Sequence, residues 1–253
     1  MSKEYMPNTT PVAVANSMTC ILKDLRSPIR VQRFAVVGVY SQDRPFVGHA
    51  AILTAATEFN GECKVALSHV GPPIENLDTG DCHIVGQIGL SNEEIEAVAD
   101  WLASIETQYT PTKILPFQQY VVAPHMVWVK SEEGRPFRQR FSCVGYVIEA
   151  YAAANVWLID SESLPDAKME DVETAYPNLR RLLAKPELAK SYGFKGLDDL
   201  GLVGPGPWKV ALPGYLFHSI KRFEQAQPRP NPFAPSSLEQ SCFPVREPIP
   251  TPK

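Results

Sequence analysis

The chain has 253 residues, 44% of them apolar, with 24 basic against 28 acidic side chains and a formal charge of −4. That length suits one large domain or two small ones with a sizeable core. The near-balanced charge leaves no electrostatic footprint for nucleic acid or an anionic membrane, no apolar run is long enough to span a bilayer, and Met1-Ser2-Lys3-Glu4-Tyr5-Met6-Pro7-Asn8 lacks the basic and apolar regions of a secretory signal.

Residues 1 to about 18 are polar, carry Pro7 and Pro11, and read as poorly ordered. The first half then reads as strands. Val31 to Tyr40 is rich in β-branched and aromatic residues, and Asp43-Arg44-Pro45 makes a turn. Phe46 to Thr57 and Glu62 to Val70 are apolar runs separated by Asn60-Gly61, a strong hairpin signal. His83 to Ile88 suits a further strand. Ser91-Asn92-Glu93-Glu94 fits a capping box, and Ile95, Val98, Leu102 and Ile105 follow at helical spacing. Residues 113 to 130 are again strand-like, up to Glu133-Gly134-Arg135-Pro136.

A second helix is expected from Cys143 to about Ala154, buried through Val147, Ala150, Tyr151 and Ala154. A third is expected from Met169 to Ala184. Gly201 to Pro207 reads as a loop, Trp208 to Leu212 as a short strand, and Pro213 to His218 as a lead into the tail. From Ala226 on there are eight prolines, which neither pair into a sheet nor propagate a helix. This predicts a single domain over 1–225 and an extended tail over 226–253, draped on the domain through Phe233, Leu238 and Phe243. Hairpins with interspersed helices make the expected fold class α+β.

The five cysteines, Cys20, Cys63, Cys82, Cys143 and Cys242, are odd in number and widely spaced. No CxxC pair suggests zinc or a disulfide framework, so reduced thiols in the cytoplasm are expected. Asp81-Cys82-His83 has no second cluster at zinc spacing, and neither metal nor cofactor is expected.

Cys143 stands where a loop gives way to a helix. Free backbone N–H groups and the positive end of the helix dipole favour a thiolate there, the form that attacks carbonyl carbon. The rival reading is a buried, inert thiol. A cysteine nucleophile needs a histidine to take its proton and a third polar group to orient that ring. The candidates are His49, His69, His83, His125 and His218. His49 lies in the strand Val47-Gly48-His49-Ala50-Ala51-Ile52, where Gly48 allows close approach. His218 lies downstream of the cysteine, the usual order in papain-like enzymes. Arg135, Arg138 and Arg140 read as a solvated basic stretch or as a site for an acidic substrate group, and Trp101 and Trp157 as core.

The order of histidine strand, hairpin, capped helix and helix-start cysteine resembles the circularly permuted NlpC-like papain fold, the group that includes lecithin retinol acyltransferase and YiiX-type bacterial proteins. Gly48-His49-Ala50-Ala51-Ile52 is similar to that family's His-x-Gly-Ile strand. Leu90-Ser91-Asn92-Glu93-Glu94 through Gln108-Tyr109 resembles the helix and tyrosine before its cysteine segment. Phe141 to Tyr151 resembles its Cys-Ser-Glu-Leu-Val-x-x-Ala-Tyr helix, and Leu212-Pro213-Gly214-Tyr215-Leu216 its proline-led segment. The resemblance spans roughly residues 46 to 217, with gaps. It implies a cysteine hydrolase or acyltransferase acting on amide or ester bonds, with Cys143 as nucleophile and His49 as base. The chain departs from the pattern at Val144-Gly145, where Ser-Glu is usual, and at Ala50-Ala51, where Val-Gly is usual.

The family places a polar third residue on the following strand, near His69. A two-residue turn at Asn60-Gly61 sets Ile52 opposite His69, and period-two alternation then turns His49 to the other face. In that register Ser68 or Val70 shares the face of His49. One β-bulge or a longer loop restores His69.

Two functions follow as expectations. One is a thiol hydrolase or acyltransferase acting on a small-molecule, lipid or peptide acyl substrate through a thioester, without nucleic acid or a stable membrane anchor. The other is a binding or interaction protein on a degenerate papain-like fold, which the Val144-Gly145 departure and the Pro-rich tail favour.

Overall fold

The computed structural model describes residues 17–21, 32–40, 47–59, 62–70, 84–109, 121–122, 126–176, 179, 183–191, 196–225 and 228–234. The chain runs through β1 (Ser17–Ile21), β2 (Val36–Tyr40), β3 (Val47–Phe59), β4 (Glu62–Ser68), β5 (Ile84–Gly86), α1 (Asn92–Tyr109), β6 (Met126–Lys130), β7 (Pro136–Phe141) and α2 (Cys143–Ala152). It continues through β8 (Asp166–Ala167), α3 (Met169–Ala175), α4 (Pro186–Ser191), β9 (Trp208–Lys209) and α5 (Pro213–Gln225). The first five strands form one antiparallel sheet in the order β1-β4-β3-β2-β5. Strands β6–β7 and β8–β9 form two small antiparallel pairs. The architecture is α+β. Among the described residues no helix is long and apolar enough to cross a membrane.

The core lies between one face of the large sheet and α2. Helix α2 buries eight of its ten residues, Cys143 to Ile148, Ala150 and Tyr151. A helix apolar on nearly all sides has to sit inside the molecule. Val36, Ala50 and Ile52 from the sheet meet Val144, Val147 and Tyr151 there. Full burial of such an aliphatic side chain contributes about 1.5–3 kcal/mol. The helix ends at Ala152 rather than Ala154. Asn155 takes the left-handed conformation (φ 56°), and Val156 N–H reaches back to Tyr151 O, closing the last turn.

Helix α1 starts as its capping box predicts. Glu94 N–H donates to Ser91 Oγ (3.3 Å), and Ser91 N–H donates to Glu94 Oε2 (2.7 Å). Trp101 then packs edge-on against Phe141 and Tyr146.

Several elements differ from the sequence reading. Ser17 and Met18, expected to be poorly ordered, open β1 and pair with Ser68 and Leu67. The helix expected over Met169–Ala184 is interrupted after Ala175, because Tyr176 precedes Pro177 and is pushed out of the helical region (φ −127°, ψ 70°), while Leu179 and Leu183 are again helical. Of the strand expected over 113–130, only Met126–Lys130 is a strand among the described residues. The segment Pro213 to His218 is no lead-in but the start of α5. Proline at its first position suits a helix start, and Leu216, Ile220 and Phe223 are buried. α5 approaches β5 closely: a Cβ on Gly86 would lie 2.5 Å from Ile220 Cγ2. Trp157, expected in the core, is 56% exposed.

Candidate functional site

Ser142 is extended (φ −75°, ψ 166°), and its Oγ accepts from Gly145 N–H at 2.9 Å, so Cys143 is the first residue of α2. A serine cap in this place satisfies one of the free helix amides. β7 delivers the chain directly to this cap, which fixes Cys143 against the sheet.

The thiol meets the sheet through a backbone amide. Phe34 N–H donates to Leu53 O, and Leu53 N–H donates to Ala35 O, both at 2.8 Å and both on the β2 side of β3. Amide direction alternates along a strand, so Ile52 and Ala50 point toward β4. The β4 ladder ends at Ser68, opposite Ile52. Ala50 N–H is therefore the first amide past the ladder, and it hydrogen-bonds the Cys143 thiol.

His49, the preceding residue, is buried, and its Nε2 lies 3.1 Å from His69 Nδ1. The rings meet edge-on, with centroids 5.0 Å apart. The simple hairpin register would have kept these residues on opposite faces. The ladder starts as predicted, Phe59 opposite Glu62, but it skips Thr54: Ala55 faces Ala66, and Leu53 faces Leu67. That one-residue bulge shifts the parity of everything beyond it. Ile52 now faces Ser68, whose Oγ lies 2.7 Å from Tyr146 OH on α2. Ser68 thus points to the helix side, and His69 turns to His49. The pairing with β2 also skips Gly48, Val39 facing His49 and Tyr40 facing Val47, so His49 is bracketed by two irregularities.

Burial dominates the electrostatics. It lowers the His49 pKa well below the usual imidazole value, and charge on His69 adds to this. It lowers His69 too, against a hydrogen bond with the Val70 backbone. It pushes the Cys143 thiol up to about 11, although the N–H groups of Ala50, Val144 and Cys143 pull the other way. The helix start was expected to favour a thiolate, and here it is outweighed. Helix-terminus effects are worth about 0.3–1 kcal/mol, whereas a thiol with a pKa of about 11 is ionised to roughly one part in 10⁴ at pH 7. At rest the thiol and both imidazoles are neutral, the thiol on the α2 face of β3 and the imidazoles on the opposite face.

No hydrogen bond joins the two. His49 Nδ1 is buried without a partner, and the thiol rests on the Ala50 amide. His218 lies on α5 with its ring stacked on Phe233 (9°, centroids 6.1 Å). Arg140 is buried and donates to Asp199 O, Arg138 is partly buried, and Arg135 is exposed, so this run is not a uniformly solvated face. Cys82, His83 and His125 lie outside the described residues, as does the side chain of Tyr109. Sequence reasoning missed the Ala50 amide, which has no side-chain signature. It also missed Tyr176, whose hydroxyl lies 3.5 Å from Ala211 O and whose pKa is raised by burial and by the nearby Cys143. Among the described residues no group of three His, Cys, Asp or Glu is arranged to hold a metal ion. In comparisons with known proteins, no family model, no curated protein and no solved structure matches the chain.

Proposed function

We propose that the chain is a cysteine-dependent hydrolase or acyltransferase on a circularly permuted papain-like fold, acting on amide or ester bonds of a small-molecule, lipid or peptide substrate. The observation that carries this reading is the arrangement at the end of β4. The Cys143 thiol sits on the amide next to His49, and the far nitrogen of His49 meets His69. When His49 Nε2–H donates to His69 Nδ1, His49 Nδ1 presents a lone pair. Ala50 and Cys143 lie on the α2 face of β3 and His49 on the other, so bringing the sulfur to that lone pair takes a shift of the strand end at the Gly48 irregularity as well as a rotation of the Cys143 side chain. The thiol proton passes to Nδ1 as sulfur bonds to the acyl carbon. The Cys143 N–H at the helix start steadies the oxyanion. The tetrahedral adduct collapses, the leaving amine or alkoxide takes the proton from His49, and the thioester goes to water or an acceptor. A nucleophile of this kind works as a reduced thiol, which suits the cytoplasm.

The test uses p-nitrophenyl acetate. A burst of nitrophenol with an acetyl group mapped by mass spectrometry to Cys143 is expected. Acetylation spread over the other cysteines, with Cys143 unmodified, refutes the nucleophile.

A second reading is a non-catalytic binding protein on the same fold. The burial of the thiol, 2% exposed, and its missing bond to His49 favour it. Unmodified Cys143 in a folded protein is its expected result.

A further inference from the structure

The end of the described chain makes a set of contacts that the catalytic reading does not use. After α5, residues 228–234 cross the surface and dock at two anchor points. Arg229 pairs with the Glu94 carboxylate, its Nη2 lying 2.7 Å from Oε2, and it also donates to Gly89 O at the entry to α1. Four residues on, Phe233 is fully buried. Its ring rests against Tyr215 and His218 of α5, and the Arg222 guanidinium lies 4.3 Å from its centroid. Its backbone forms a parallel bridge with Ile159: Phe233 N–H donates to Leu158 O (2.9 Å), and Asp160 N–H donates to Phe233 O (3.0 Å).

We infer that this groove, between the start of α1, α5 and the edge at Leu158–Asp160, is a peptide-recognition surface for an extended segment with arginine four residues before phenylalanine. Its resting occupant is the chain's own Pro228-Arg229-Pro230-Asn231-Pro232-Phe233. Three features separate it from an ordinary packed segment. Prolines alternate with the contacting residues, so the backbone is already extended and loses little entropy on docking. Among the described residues the strand-type contact is one bridge, with affinity from main-chain bonds and specificity from an aromatic anchor and a charged pair, as in peptide docking to a sheet edge. The charged anchor lies at the rim, with the Glu94 side chain 22% exposed, and the aromatic one in the interior. The segment is a latch that exchanges with a like segment supplied in trans.

Two measurements on the full-length chain test this. A fluorescent peptide of residues 228–234 is titrated into the Arg229→Ala/Phe233→Ala double variant and into the unaltered chain. The double variant is expected to bind it at least tenfold more tightly, and a peptide carrying Phe233→Ala to bind neither. Equal affinity for the two proteins, or no binding to a cooperatively folded double variant, overturns the inference. In the unaltered chain the amides of Phe233 and Asp160 are expected to exchange with deuterium at least tenfold faster than those of Val147 to Tyr151. Exchange at the same rate as α2 overturns the latch even if the variant does not fold.

Discussion

The His49 end of β3 and the His218 face of α5 are the two histidine neighbourhoods that the order of the sequence left open as partners for Cys143. They differ in what surrounds the ring. His49 sits one residue from the amide that holds the thiol, its Nε2 meeting another imidazole and its Nδ1 facing no partner. His218 lies flat against Phe233, in a groove filled by the chain's own C-terminal segment. One ring is set in a polar constellation bracketed by two bulges, and the other is part of a docking surface. A histidine's role is decided by where its second nitrogen goes, and a helix-start cysteine alone does not name its base.

The α5 side is the more sensitive to packing. Gly86→Ala drives a methyl into Ile220 and is expected to cost up to about 3 kcal/mol, read as a drop in urea midpoint. A neutral result would mean that α5 has room to shift, and would weaken the account of how His218 is held. On the β3 side, Ser68→Ala removes the buried 2.7 Å contact with the Tyr146 hydroxyl and is expected to cost about 1–2 kcal/mol while leaving Cys143 acylation nearly unchanged. His69→Ala is expected to do the reverse, slowing Cys143 acylation roughly tenfold or more through loss of the orienting contact with a smaller change in stability. If both variants behaved alike, the bulge at Thr54 would have no functional consequence.

The smallest effect is on the pH dependence of stability. His49 and His69 have folded pKa values below the ordinary imidazole value of 6.5. As pH falls below about 6.5 the unfolded chain takes up protons that the native chain refuses, so stability declines. Cys143 has a folded pKa raised from 9.0 to about 11. As pH rises above about 9 the unfolded thiol ionises first, and stability declines again. The melting midpoint is therefore expected to be flat between about pH 6.5 and 9 and to fall on both sides. His49→Ala should flatten the acid shoulder and Cys143→Ala the alkaline one.

Much of this was legible in the sequence where one local rule governed. The Ser91 capping box, the start of the β3–β4 ladder at Phe59 and Glu62 and the start of α2 at Cys143 each rest on short-range chemistry and appear in the fold. What was not legible depended on a single residue changing a long-range parity. Thr54 is unremarkable in a strand, yet a ladder that skips it turns Ser68 to α2 and His69 to His49. Helix α5 was hidden because Pro213-Gly214 reads as a break, although proline at a helix's first position supports a start. The ionisation of Cys143 was hidden as well, since helix-start chemistry is visible in sequence and the depth of burial is not.

The central claim is that His49, and not His218, serves Cys143. The most direct measurement is the rate of Cys143 acetylation by p-nitrophenyl acetate at pH 7 in His49→Ala and His218→Ala, each shown to be folded. The account predicts a loss of roughly 100-fold or more for His49→Ala, the range of general-base catalysis, with His218→Ala close to the unaltered chain. Equal rates in all three proteins, or a loss confined to His218→Ala, would contradict it.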